Sequence, residues 1–192
     1  MNTWFESIVN GIQLYICLAP ALILIALVYR RGRKELNPVW FVLNQLTILY
    51  IICLVSVTLF PLPTAEQAAR LSTHEAQLVP FRFVSDILRE KSIRCIAQVV
   101  FNVAMTVPFG FILCFNKKMT VSKAVMITFC LSLLIEITQL TGLFFLYNGS
   151  YRLFDVDDLF LNTLGGFAGF RTAVVLLPKM VRKPALHVAH EF

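Results

Sequence analysis

The sequence predicts an all-α, polytopic integral membrane helix bundle of about five transmembrane helices, with the N-terminus outside and the C-terminus cytoplasmic. Three observations carry that prediction. Hydrophobic residues make up 58% of the 192-residue chain against 15% charged, too little polar surface for a soluble domain of this length. Five apolar runs approach or exceed the roughly 20 residues that cross about 30 Å of hydrocarbon. Lysine and arginine also collect in alternate connections, as membrane topology demands.

The runs lie near Ile8–Tyr29, Val39–Phe60, Cys95–Phe115, Val121–Leu146 and Leu159–Leu177. Asn37-Pro38 suits a cap and first-turn proline for the second, and Pro61 ends it. Asn116-Lys117-Lys118 separates the third from the fourth, and Pro178 closes the fifth. Between the second and third runs, Pro61–Arg94 is long for an unstructured connection. Thr64-Ala65-Glu66-Gln67 fits a capping box, which predicts a short helix over Thr64–Leu71. A second is expected over Ser85–Ile93, where Asp86 comes early and Arg89 and Lys91 late, as the helix dipole prefers. Pro80-Phe81 between them reads as an extended segment on the membrane surface. The whole is expected to form one membrane domain over residues 1–192, with two accessory spans at 8–60 and a cytoplasmic tail at 178–192.

Orientation follows from the cations. One side holds eleven: Arg30, Arg31, Arg33, Lys34, Lys117, Lys118, Lys123, Arg171, Lys179, Arg182 and Lys183. The other holds six (Arg70, Arg82, Arg89, Lys91, Arg94, Arg152) against nine acids. The richer side is expected to be cytoplasmic. Met1–Ser7 has no lysine or arginine, so it lacks the basic start of a secretory signal and the first run is expected to stay as a helix. Trp4 and Phe5 then suit the outer interface. A net charge of +6 distributed this way argues against a nucleic-acid partner. Cys17, Cys53, Cys95, Cys114 and Cys130 all fall in or beside apolar runs and read as small helix residues, so neither a disulfide nor a metal site is expected from them.

Polar residues where lipid would exclude them point to function. In the fourth run Thr128, Ser132, Glu136 and Gln139 share one helical face. Glu136 is placed about ten residues, roughly 15 Å, from the outer end. A carboxylate there is expected to face the bundle, be paired or be protonated. The third run carries Gln98, Asn102 and Thr106 on one face, followed by Pro108 and Gly110, an arrangement in which Asn102 and Glu136 are candidates to meet. Into the fifth run, Asp155, Asp158, Asn162, Gly165 and Gly169 follow a 3, 4, 3, 4 spacing. Helix capping accounts for one or two of Asp155, Asp157 and Asp158, and Gly165 with Gly169 allows close helix approach. The stripes converge on the outer half of the bundle with Arg152, and Arg82 or Arg94, near the rim.

These residues resemble the VanZ-like membrane proteins. The resemblance is carried by Leu78-Val79-Pro80-Phe81, Asn102 with Pro108-Phe109-Gly110, and Leu131-Ser132 with Glu136 and Gln139. It continues through Asp155, Asp158 and Asn162-Thr163 to Gly165-Gly166 and Gly169, over about Leu78–Phe170. It implies an integral protein of the bacterial cytoplasmic membrane. The family's founding member is associated with low-level resistance to the lipid-anchored glycopeptide teicoplanin, and the resemblance assigns no catalytic residue.

The candidate ligand-binding set is therefore Asn102, Glu136, Gln139, Arg152, Asp155, Asp158 and Asn162. The first reading is an envelope protein that binds a glycopeptide or lipopeptide antibiotic, or a lipid-linked wall intermediate, at the outer leaflet, with membrane lipids as its surroundings and no cofactor. The alternative is an intramembrane hydrolase or transferase with Glu136 as candidate general acid or base, and Asp155, Asp157 and Asp158 offering oxygen ligands to Mg²⁺. Against it, there is no nucleophile elbow, and His187 and His190 lie in the tail, leaving His74 alone on the outer side. A proton-coupled carrier using Glu136 ranks third, because no inverted repeat is visible.

Overall fold

The computed structural model describes residues 2–31, 38–71, 73–115 and 118–177. The expectations for Arg33, Lys34, Asn37, Asn116, Lys117 and the 178–192 tail lie outside the described residues, as do the side chains of Trp4 and Phe5. The elements run α1 (Asn2–Arg31), α2 (Pro38–Leu59), α3 (Ala65–Arg70), β1 (Ala76–Gln77), α4 (Arg82–Glu90), α5 (Ile93–Leu113), α6 (Val121–Leu140), α7 (Gly142–Phe145), β2 (Phe154–Asp155) and α8 (Val156–Leu176). Among the described residues α2, α5, α6 and α8 are long and apolar enough to cross a membrane. The first predicted span falls inside α1, whose described apolar stretch is Ser7–Pro20. The fold is an all-α multi-pass membrane bundle.

The chain divides into two compact units, Met1–Thr64 and Ala65–Phe192. In the first, α1 and α2 pack together through small residues. A methyl added to Gly11 would lie 3.0 Å from Ser56 Oγ and 3.2 Å from Cys53 Cα. Hydrogen bonds reinforce that pair, from Ser7 Oγ to the Phe60 carbonyl at 3.2 Å and from Tyr15 to Gln45 Oε1 at 3.1 Å. Such bonds matter between membrane helices, where lipid supplies no hydrophobic drive for association.

In the second unit α8 packs along both α5 and α6, while those two touch each other far less. The reason is a glycine face on α8. A methyl on Gly165 or Gly169 would fall 2.1 and 1.9 Å from the carbonyl oxygens of Val103 and Val107 on α5. One on Gly166 would strike Thr128 of α6 at 2.3 Å, and one on Gly110 would meet the Gly166 carbonyl at 1.9 Å. The helices sit backbone to backbone. Beyond the glycines, Cys114, Ala124, Phe170 and Ala173 close the far end as a small apolar core.

At the opposite end the loops are better ordered than the sequence suggests. α3 forms close to its expected place, with Glu66 and Arg70 paired at 2.6 Å. β1 and β2 form a two-residue parallel pair, Ala76 with Phe154 and Gln77 with Asp155. Three expectations need correction. Pro80-Phe81 is a turn, with Phe81 left-handed at φ 61°, because its N–H and that of Phe83 are drawn onto one carboxylate. The helix expected at Ser85–Ile93 runs instead over Arg82–Glu90. Lys91 ends it at φ 47°, and Ser92 caps α5 by accepting from Arg94 N, so α5 starts two residues early. The fourth span stops at Leu140 because Gly142 takes φ +60°, where a methyl would strike the Gly149 carbonyl at 2.5 Å.

Candidate functional site

The end of α6 at Leu140 changes the position of Glu136. It lies four residues from the helix terminus, about 6 Å along the axis, where the sequence placed it roughly 15 Å deep. Its side chain is 2% exposed, and Oε2 accepts the Asp155 N–H at 3.0 Å. Glu136 therefore receives the chain just before α8 begins.

Every polar member of the α6 stripe is buried, with Thr128, Ser132 and Gln139 beside Glu136. Ser132 Oγ accepts from Asn162 Nδ2 at 2.9 Å, linking α6 to α8, and Asn162 Oδ1 is buried without a hydrogen-bond partner. On α5, Thr106 donates to the Asn162 carbonyl at 2.6 Å, and Asn102 Nδ2 donates to Asp158 Oδ1. Asn102 and Glu136 are thus each hydrogen-bonded to a different residue at the start of α8. They bind successive parts of α8, Asn102 from one flank and Glu136 from the other.

The three aspartates have separate tasks. Asp155 is the N-cap of α8, accepting from Asp157 N at 2.8 Å. Burial raises its pKa above the ordinary carboxylate value, while that N–H works in the opposite direction. Asp157, 4% exposed, reaches back to the loop, where Oδ1 accepts from Phe81 N at 2.6 Å and Oδ2 from Phe83 N at 3.0 Å. Asp158 turns to Asn102. Because their carboxylates diverge, the three do not form the Mg²⁺ ligand set of the alternative reading. Among the described residues no group of three or more His, Cys, Asp or Glu is placed to hold a metal ion.

Gln77, absent from the candidate set, joins this arrangement. It is 5% exposed, and its Nε2 donates to the Val79 carbonyl at 2.8 Å and to Asp155 Oδ1 at 3.3 Å. Its partner is 78 residues away, so no local pattern marks it. The Leu78-Val79-Pro80-Phe81 segment is thereby held from both ends, by Gln77 and by Asp157.

Two open clefts flank the β1–β2 pair. The first, about 370 Å³, is lined by Asp86 and Phe83 of α4, Gln98 and Val99 of α5, and Asp155, Asp157, Asp158 and Leu161 around the start of α8. The second, about 510 Å³, lies between residues 70–75 and 150–153 and includes Arg70, Tyr151 and Arg152. The structure thus separates Arg152 from the aspartates that the sequence grouped with it. Arg152 is half-buried. Burial lowers its pKa from the ordinary guanidinium value, and the neighbouring Tyr151 and Glu136 side chains work in the opposite direction. Of the seven candidate residues, Asp155 and Asp158 line the first cleft and Arg152 the second. Asn102, Glu136, Gln139 and Asn162 line neither.

The VanZ/LLP1 family model matches residues 47–177, about two thirds of the chain. The chain belongs to the VanZ/LLP1 family. The match reaches further than the Leu78–Phe170 resemblance, beginning within α2 and running to the end of α8. It takes in both clefts and the glycine-packed trio. No curated protein and no solved structure matches the chain.

Proposed function

We propose that this VanZ/LLP1 protein binds an amphiphile at the outer leaflet of a bacterial cytoplasmic membrane and thereby contributes to antibiotic resistance. The amphiphile is a glycopeptide or lipopeptide antibiotic, or a lipid-linked wall intermediate. The observation that carries this reading is the acidic cleft at the loop end of α4, α5 and α8. The cleft is small, so it takes one polar substituent and not a whole glycopeptide. With Asp86, Asp155, Asp157 and Asp158 in its wall, the substituent it suits is cationic or rich in hydroxyls.

The surroundings support an apolar chain on the same ligand. Leu88 at the end of α4 and Ile93, Ile96 and Val100 along α5 are all exposed. A tail lying along α5 stays in lipid while the head enters between α4 and α8. Placing this end outside follows the lysine and arginine asymmetry of the connections. The hydrolase alternative gains nothing from the geometry, since Glu136 is buried against a backbone N–H and lines neither cleft.

The test pairs binding with phenotype. Wild type and Asp86→Asn/Asp158→Asn protein are purified at matched expression, and copurifying amphiphiles are identified by mass spectrometry. Loss of one species from the variant, with loss of host tolerance to a glycopeptide or lipopeptide, is expected. Identical copurifying species and identical susceptibility would remove the reading.

A further inference from the structure

We infer that the second cleft is an oxyanion site, which takes the phosphate of a lipid headgroup between Arg152, Tyr151 and Arg70. This deepens the amphiphile reading by naming a second, anionic contact, and it rests on that reading for the lipid tail.

The lining has the donors a phosphate needs. Among the described residues it holds two guanidinium groups, Arg70 and Arg152, against a single acid, Glu75. Guanidinium donors in a fixed fork match phosphate oxygens with two parallel bonds. Tyr151 lines the same cleft, and its hydroxyl is buried with no hydrogen-bond partner. A buried phenol without an acceptor is costly, and an oxyanion is the partner that would satisfy it beside an arginine. The Arg70 pair with Glu66 is no obstacle, since both side chains are more than three-quarters exposed and a pair so open to water is weak.

The local frame is prepared before any ligand arrives. Ser150 N donates to the Thr73 carbonyl at 3.0 Å, and Glu75 N donates to Ser150 Oγ at 2.9 Å. These bonds hold the 73–75 segment against 150–153, so the cleft walls are tied together at their base. His74 Nδ1 lies 2.7 Å from the Leu140 carbonyl, anchoring the same segment to the end of the α6 span. The cleft is therefore at the edge of the hydrocarbon, the level at which lipid phosphates lie.

The opposite sign of the neighbouring cleft separates the two sites. Four aspartates line one and two arginines the other, with β2 between them. A phosphate is repelled from the first and drawn to the second.

The experiment uses the full chain in neutral detergent and titration calorimetry with three probes: dihexanoyl phosphatidate, dihexanoylglycerol and inorganic phosphate. Phosphatidate is expected to bind and dihexanoylglycerol not to bind. Arg152→Gln should weaken phosphatidate about tenfold or more, as expected for loss of a charge-assisted contact, and Tyr151→Phe by several-fold. Asp86→Asn, in the other cleft, should leave phosphatidate binding unchanged even where it abolishes copurification of the amphiphile. Inorganic phosphate binding as tightly as phosphatidate would keep the oxyanion site and make free phosphate its occupant. If Arg152→Gln does not fold, Tyr151→Phe and the exposed Arg70→Gln carry the test. Phosphatidate affinity unchanged in folded Tyr151→Phe and Arg70→Gln protein, or equal binding of dihexanoylglycerol, would overturn the inference.

Discussion

Asp157 holds the turn at Phe81 by its backbone: Asp157 Oδ1 accepts the Phe81 N–H at 2.6 Å while Oδ2 accepts that of Phe83 at 3.0 Å. The two residues are 76 positions apart in sequence. One buried carboxylate thus places the first turn of α4 over the start of α8 and shapes the acidic cleft. An amide offers one acceptor oxygen where the carboxylate offers two, so Asp157→Asn leaves one part-buried N–H without its partner. Hydrogen bonds to charged groups contribute roughly 1.5–3 kcal/mol, and the substitution should cost about that much. Thermal unfolding in detergent reads the loss. Limited proteolysis should show faster cutting around residues 78–83, and an unchanged cleavage pattern would count against this role for Asp157.

The glycine face of α8 makes a sharper prediction. A methyl at Gly169 would sit 1.9 Å from the Val107 carbonyl oxygen, and at Gly110 the same distance from that of Gly166. Both obstacles are backbone, which cannot swing away, so Gly169→Ala and Gly110→Ala should destabilise at or above the roughly 1–3 kcal/mol typical of overpacking. Gly11→Ala meets its nearest atom at 3.0 Å, a serine hydroxyl that can rotate, and should cost distinctly less. Comparing the three by unfolding in denaturant tests whether α5 and α8 are in backbone contact.

What was legible in the sequence follows from range. The one-faced stripes, the Gly165/Gly169 contact and four of the five spans rest on local spacing and are present among the described residues. The ends of the spans were less accessible, because Gly142 stops α6 through a left-handed φ that hydropathy does not register. The candidate residues were read as one cluster, and three of them divide between two clefts. Asp155, Asp157 and Asp158 are adjacent in sequence, yet their partners are a helix cap, a loop and another helix. Gln77 and Tyr151 carried no periodic signal, since their importance depends on pairing between segments more than 70 residues apart.

The link between Ser132 and Asn162 is measurable on its own. Asn162 Nδ2 donates to Ser132 Oγ at 2.9 Å in a buried setting, while Asn162 Oδ1 has no partner. Interhelical hydrogen bonds within membranes contribute about 0.6 kcal/mol on average and reach roughly 2. A double-mutant cycle with Ser132→Ala and Asn162→Ala should return a coupling within that range. Asn162→Ala alone should cost less than an ordinary buried asparagine, because it also removes an unsatisfied oxygen. A coupling indistinguishable from zero would mean that the Ser132–Asn162 bond adds nothing to the glycine contact and the Glu136–Asp155 bond between α6 and α8.

Asp155 makes stability depend on pH in a direction opposite to a salt-bridged carboxylate. Burial raises its pKa in the fold above the ordinary value of 3.8, with the Asp157 N–H only partly offsetting this. The folded state therefore binds the proton more tightly than the unfolded chain. The contribution of Asp155 is fully present below the unfolded pKa and is lost as pH rises through the folded one. Asp155→Asn removes this titration but keeps a side-chain oxygen to accept from Asp157 N, and asparagine caps helices as well as aspartate does. The variant should match or exceed wild type in stability at pH 7, and its advantage should shrink as pH falls towards 4. Melting temperatures of both proteins across pH 4–8 decide the matter. A variant less stable than wild type at pH 7, with the deficit closing in acid, would show that the charge of Asp155 stabilises the start of α8 more than its burial costs.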